Sequence, residues 1–186
     1  MKTRWPLALI TCALLIGAAY AHKSTPQPKP VFSSRYTTLA NCGSGMTKKE
    51  EREAEKTGTD IPSKCRGLGG YDVYISYSAC ASQFSLTRGE ENISLGMQPV
   101  NWKQKQVEWR LADGKPFAVI IRMYDYGDDL CNGDEKLKGE SLMVQGLKGF
   151  EQIQGSVDAR TANANVKARE LADKGYARPS QSLPEG

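Results

Sequence analysis

Apolar and polar residues alternate from Val107 to Leu111 and give way to an unbroken apolar run from Pro116 to Ile121, and the stretch Val107 to Tyr124 (VEWRLADGKPFAVIIRMY) predicts a β-hairpin. Asp113-Gly114 separates two runs rich in β-branched and aromatic residues, and suits a two-residue turn with positive φ at both central positions. Such a turn pairs Ala112 with Lys115, Leu111 with Pro116, Trp109 with Ala118 and Val107 with Ile120. One face then carries Val107, Trp109, Leu111, Pro116, Ala118 and Ile120, all apolar, and should cover the core. The other face sets Glu108 and Arg110 across from Phe117, Val119 and Ile121, which suggests a second strand buried on both sides and a first strand nearer an edge. Pro116 fits this register, because Leu111–Pro116 would be a pair whose N–H groups point away from the partner strand.

The remaining segments read as pieces packed around that hairpin. Tyr36 to Cys42 (YTTLANC) predicts a first strand, after which Thr47 and Glu50 have capping-box spacing for a short exposed helix over KKEEREAEK. Tyr71, Val73, Ile75 and Tyr77 alternate along a half-buried strand, and Gln83–Thr87 with Ile93–Leu95 suggests a second hairpin around Arg88-Gly89-Glu90. Gly96 to Lys105, with Met97, Pro99 and Trp102, reads as a loop. Asp125 to Glu140 reads as an acidic connection into two last strands, Ser141–Gly146 and Phe150–Val157. Asp158 suits the N-cap of a final helix, ARTANANVKARELADK, that ends at Gly175. Its apolar stripe (Ala164, Ala168, Leu171, Ala172) is so small that the helix must lie close to a sheet. These elements together predict an α+β fold: a mainly antiparallel, twisted β-sheet of about six to eight strands, packed by one C-terminal helix.

Residues 1–21 change the setting. Lys2 and Arg4, an apolar run and Ala19-Tyr20-Ala21 make the pattern of a secretory signal peptide, with an apolar stretch short of the ~20 residues that span a bilayer. A Pro-rich tether over 22–34, a single domain over 35–177 and a flexible tail over 178–186 complete the expected organisation. The formal charge of +4 falls to +2 once Lys2 and Arg4 leave with the signal, too little to imply nucleic acid. Periplasmic or secreted localisation follows, with no membrane span after signal removal.

Export also bears on the cysteines. Cys42, Cys65, Cys80 and Cys131 remain after the signal, their spacing is not that of a paired CxxC zinc site, and two disulfides are expected. Cys42–Cys65 with Cys80–Cys131 is the preferred pairing. The segment between Cys42 and Cys65 has little to bury, so a crosslink at its ends would remove loop entropy worth ~3 kcal/mol.

Candidate chemistry is sparse. The one histidine, His22, would head the mature chain, but a copper brace needs a second, and serine- or cysteine-histidine catalysis and three-histidine zinc sites are equally unprovided for. Asp125, Asp128, Asp129, Asp134 and Glu135 gather oxygen ligands in one loop without the EF-hand order. No catalytic residue, metal or cofactor is assigned. Tyr71, Tyr74 and Tyr77 are expected to be structural. Tyr124, Asp125, Tyr126, Asp128 and Asp129, at the far end of the core hairpin, make the best interface candidate, since tyrosine combines apolar area with a polar tip.

The segments GGYDVYIS, VEWRLADGKPFAVIIRMY, LMVQGL and VDARTANANVKARELAD resemble a group of small, mostly uncharacterised exported bacterial proteins. That group shares a Gly-Tyr strand, a W-R…G-x-P-x-A-x-I-x-R hairpin and a last helix with an Ala-Asn…Ala-Arg…Ala-Asp pattern. Members place a cysteine in the strand before the last helix, where this chain has Phe150-Glu-Gln-Ile, so no disulfide pairing is carried over. The resemblance implies a periplasmic location and supplies no functional residues. The expected function is a non-enzymatic periplasmic protein-binding module, of an inhibitor or immunity type, whose partner is an unidentified periplasmic protein. The alternatives are a carboxylate-dependent hydrolase of envelope polymers and a structural envelope protein.

Overall fold

A computed structural model describes residues 28–99, 105–126 and 137–177. Residues 1–21, the expected signal peptide, His22, Trp102, Asp128, Asp129, Cys131, Asp134, Glu135 and residues 178–186 lie outside them. The elements in chain order are β1 (Phe32–Thr38), β2 (Gly43–Ser44), α1 (Lys48–Thr57), β3 (Ser63–Arg66), β4 (Asp72–Tyr77), β5 (Ala81–Arg88), β6 (Glu91–Pro99), β7 (Gln106–Ala112), β8 (Lys115–Asp125), β9 (Gly139–Gly146), β10 (Gln154–Asp158) and α2 (Ala164–Tyr176). The fold is α+β, as the sequence predicts. Its antiparallel strands divide into two five-stranded sheets, β1-β7-β8-β9-β10 (sheet A) and β2-β3-β4-β5-β6 (sheet B). Sheet B packs on one face of sheet A, and α2 covers part of the other, which makes three layers.

The Asp113-Gly114 turn has φ of 48° and 79°, the double positive φ expected of it. Ala112 pairs with Lys115 and Leu111 with Pro116, but Arg110 then pairs with Ala118 and Trp109 with Val119. Phe117 is therefore an extra residue on β8, a bulge, and the expected pairs Trp109–Ala118 and Val107–Ile120 are corrected by one position. Because side chains alternate with period two, the slip changes which residues share a face. Val107, Trp109, Leu111, Val119 and Ile121 point into the core between the sheets, against Tyr71, Val73, Ile75, Phe84, Leu86 and Leu95. Phe117, Ala118 and Ile120 point to α2 instead.

Other boundaries differ from expectation: the first strand ends at Thr38, not Cys42, and the last covers Gln154–Asp158, its expected start at Phe150 lying in successive turns. The fold begins at Phe32, not near Arg35, so residues 32–34 belong to β1 and not to a tether. Polar Ser33, Ser34 and Arg35 hide a strand that is specified by its pairing with β7, far away in sequence. Gly96 does not open a loop: at φ 89° it completes a bulge opposite Phe84, and β6 continues to Pro99. The last helix starts at Ala164, because Asp158 closes a turn with Arg160 and Thr161 and does not cap the helix. Gly175 lies inside α2, where an ideal Cβ would come within 2.6 Å of Ile153 Cγ1. It is glycine because helix and sheet touch there, not because the helix stops.

Ala164, Ala168 and Ala172 are buried on sheet A, as the narrow stripe predicts. At the C-terminal end of α2 the contact is aromatic: Tyr176 packs against Phe117, Phe150 and Phe32 with centroid distances of 4.8, 5.1 and 5.5 Å. The capping box of α1 forms, with Thr47 and Glu50 each accepting from the other's backbone N–H. Cys42 and Cys65 form the preferred disulfide, with Cα atoms 4.6 Å apart, and close the excursion that carries α1. Cys80 is disulfide-bonded, and its expected partner Cys131 lies outside the described residues. Among the described residues no helix is long and apolar enough to cross a membrane.

Candidate functional site

Among the described residues, the helix-side face of sheet A is only partly covered. Ile120 on β8 and Leu142 on β9 sit at the limit of the α2 contact, and the strands run on past it. On β8 the alternation that turns Ala118 and Ile120 toward α2 turns Arg122 and Tyr124 to the same side. There Arg122 Nη1 donates to Glu140 Oε2 at 2.7 Å. Burial raises the Tyr124 hydroxyl pKa above the ordinary tyrosine value, and the neighbouring Glu140 carboxylate raises it further. Tyr126 is close enough to act on it in the same direction.

Beside Arg122 the surface dips into a pocket of about 180 Å³ lined by Tyr36, Lys105, Gln106, Glu108, Arg122 and Asn165, with Ile120 and Leu142 as apolar wall. A second dip of about 220 Å³ is lined by Leu137, Lys138, Gly139, Glu140, Ala159 and Arg160, so the Arg122–Glu140 pair joins the two. Tyr36 on β1 is 51% exposed and Leu137 is 45% exposed.

One end of this face is held by charge. β7 turns Glu108 and Arg110 toward α2, which answers with Arg169 and Asp173, one helical turn apart. Arg169 Nε donates to Glu108 Oε1 at 2.6 Å, and Arg110 donates to Asp173 through Nε at 3.0 Å and Nη2 at 2.6 Å. Ser34 bridges the pairs, donating to Glu108 and accepting from Arg110. Burial by itself pushes the Glu108 carboxyl up. Hydrogen bonds from Arg169 and Ser34 outweigh it, and the group sits below the ordinary carboxylate value. Glu108 is thus an ionised, hydrogen-bonded anchor.

Of the residues expected to form an interface, Tyr124 belongs to this face, and Tyr126, just past the end of β8, lies near it. Asp125 is exposed and pairs with Gly139, where β8 and β9 separate. Alternation turns Asp125 to the opposite side of the strand from Tyr124. Asp128 and Asp129 lie outside the described residues. Tyr71, just before β4, is buried and donates to Glu91, and Tyr77 on β4 bonds Ser63, so both are structural. Tyr36, Lys105, Arg122, Asn165 and Arg169 were not singled out from sequence. The usable signal was charge at Glu108 and Arg110 in an apolar strand, matched by opposite charges four apart in the last helix.

The arrangement defines an α+β, sheet-on-sheet-on-helix domain with a tyrosine- and arginine-bearing face that the described residues leave open beyond α2. No family model, curated protein or solved structure matches the chain.

Proposed function

We propose that the protein is a non-enzymatic binding module of the bacterial periplasm that uses the open end of sheet A to hold a protein partner, in the manner of an inhibitor or immunity-type protein. The observation that carries this reading is a pocket the size of one side chain lined by Tyr36 and Arg122, with Tyr124 two residues beyond Arg122 on the same side of β8 and Tyr126 near Tyr124. Tyrosine and arginine are the residue types that interfaces concentrate, because each brings contact area together with directed polar groups. The leader-like residues 1–21 and the Cys42–Cys65 disulfide support export to an oxidising compartment. The hydrolase alternative asks for a carboxyl kept protonated at neutral pH, and the buried carboxylate beside this pocket, Glu108, is held ionised.

Affinity capture from periplasmic extract of the producing bacterium tests the reading. The wild-type protein should retain a partner that Tyr124→Ala/Tyr126→Ala loses by at least about tenfold, since truncating one central tyrosine costs on the order of 1–2 kcal/mol. Lys49→Glu on α1 should retain it. A double tyrosine variant that holds every captured protein as well as wild type would refute the proposed surface.

A further inference from the structure

We propose that the pocket between Tyr36 and Arg122 receives one acidic side chain of the partner, its carboxylate against Lys105 and Arg122 and its methylenes against Ile120 and Leu142. This rests on the binding reading above and says what chemistry that surface selects.

The donors in the pocket are not used up. Lys105 is exposed, and its ammonium has no ion-pair partner among the described residues. Arg122 spends only Nη1, on Glu140, and its remaining N–H groups are unengaged among the described residues. A guanidinium carries five donors in a planar fork, so it can hold Glu140 and a second carboxylate together. The carboxylate that lines the pocket does not oppose this, because Glu108 is neutralised by Arg169 and hydrogen-bonded by Ser34. With Arg122 balanced by Glu140 and Glu108 by Arg169, the Lys105 charge has no counter-charge paired to it among the described residues, which favours an anionic guest over a lysine or arginine. At about 180 Å³ the pocket is smaller than the ~300–1,000 Å³ of ordinary small-molecule sites and suits a single side chain. The Ile120–Leu142 wall gives that side chain's methylenes an apolar surface that a bare inorganic anion would not use.

The test is a titration of the ¹⁵N-labelled protein with N-acetyl-glutamate amide, N-acetyl-glutamine amide, N-acetyl-lysine amide and acetate, read by two-dimensional NMR. Saturable shifts at Gln106, Arg122 and the Asn165 side-chain amide are expected with the glutamate probe. The glutamine probe and acetate should bind at least about tenfold more weakly. Lys105→Gln/Arg122→Gln should remove the response while leaving signal dispersion intact, and if Arg122→Gln disturbs folding, Lys105→Gln alone should weaken glutamate binding at least threefold. No saturable shift, tighter binding of the lysine probe, or acetate binding as tightly as the glutamate probe would each overturn the proposal, the last by making this a free-anion site. Partner capture separates the two claims. A partner lost by the tyrosine variant but kept by Lys105→Gln/Arg122→Gln overturns the acidic-side-chain assignment and leaves the surface standing, whereas one kept by both variants removes the surface itself.

Discussion

Arg110 is the side chain with most to lose. It lies on a strand facing α2, with its side chain only 8% exposed, and Asp173 is its carboxylate partner. Asp173→Ala would leave that guanidinium buried with only the Ser34 hydroxyl, a loss on the order of 3 kcal/mol, read as a lowered urea midpoint at unchanged slope. Glu108 gives a prediction with a pH sign. Its folded pKa lies below the unfolded one, so its contribution to stability is present at neutral pH and disappears as pH falls from about 4.3 through the lower folded value. Glu108→Gln should therefore lose stability at pH 7 and show a shallower loss between pH 5 and 3 than wild type, in chemical denaturation across that range; parallel acid limbs would contradict the assignment. The sequence shows that Glu108 and Arg110 share a face, because alternation is local. It does not show that α2 covers that face, because Arg169 and Asp173 are brought there by a connection of more than fifty residues. An exposed edge was thus the natural expectation where the structure has a charged seam.

Among the elements, α2 and the bulge in β8 explain each other. The extra residue Phe117 turns its ring to the α2 side, where Tyr176 meets it. The small face of the helix, Ala164, Ala168, Ala172 and Gly175, lets the backbone come close. Gly175→Ala separates the two roles that glycine could have. Helix propensity alone would favour alanine by about 1 kcal/mol. The clash with Ile153 should reverse the sign, giving a net loss of about 1–2 kcal/mol in thermal or urea unfolding. A stabilised Gly175→Ala protein would mean that the helix stands off the sheet. The helix, its small stripe and the Asp-Gly turn are legible in sequence because each is a short-range pattern. The bulge is not, since two registers differing by one residue both present apolar faces when β8 is apolar on both sides.

At the scale of the molecule, local patterns identify most strands but not how they pair. β1 joins β7 across some seventy residues, and nothing in FSSRYTT announces it. A single sheet of six to eight strands and two sheets of five differ in such long-range pairings and in the short strands β2 and β3, which no alternation marks. The candidate site was half legible for the same reason. Tyr124 and Tyr126 stand out at the end of the hairpin, whereas Tyr36, Lys105 and Asn165 meet beside Arg122 only once β1, β7 and α2 are in place. Among the described residues, the two sheets, the disulfide-closed excursion with α1, and α2 leave one end of sheet A uncovered, and that end is where a partner is expected. A photo-crosslinking residue in place of Tyr126, compared with one in place of Lys49 on α1, tests this most directly. In periplasmic extract the Tyr126 position should give a discrete adduct with one protein and the Lys49 position none; adducts from Lys49 and none from Tyr126 would contradict it.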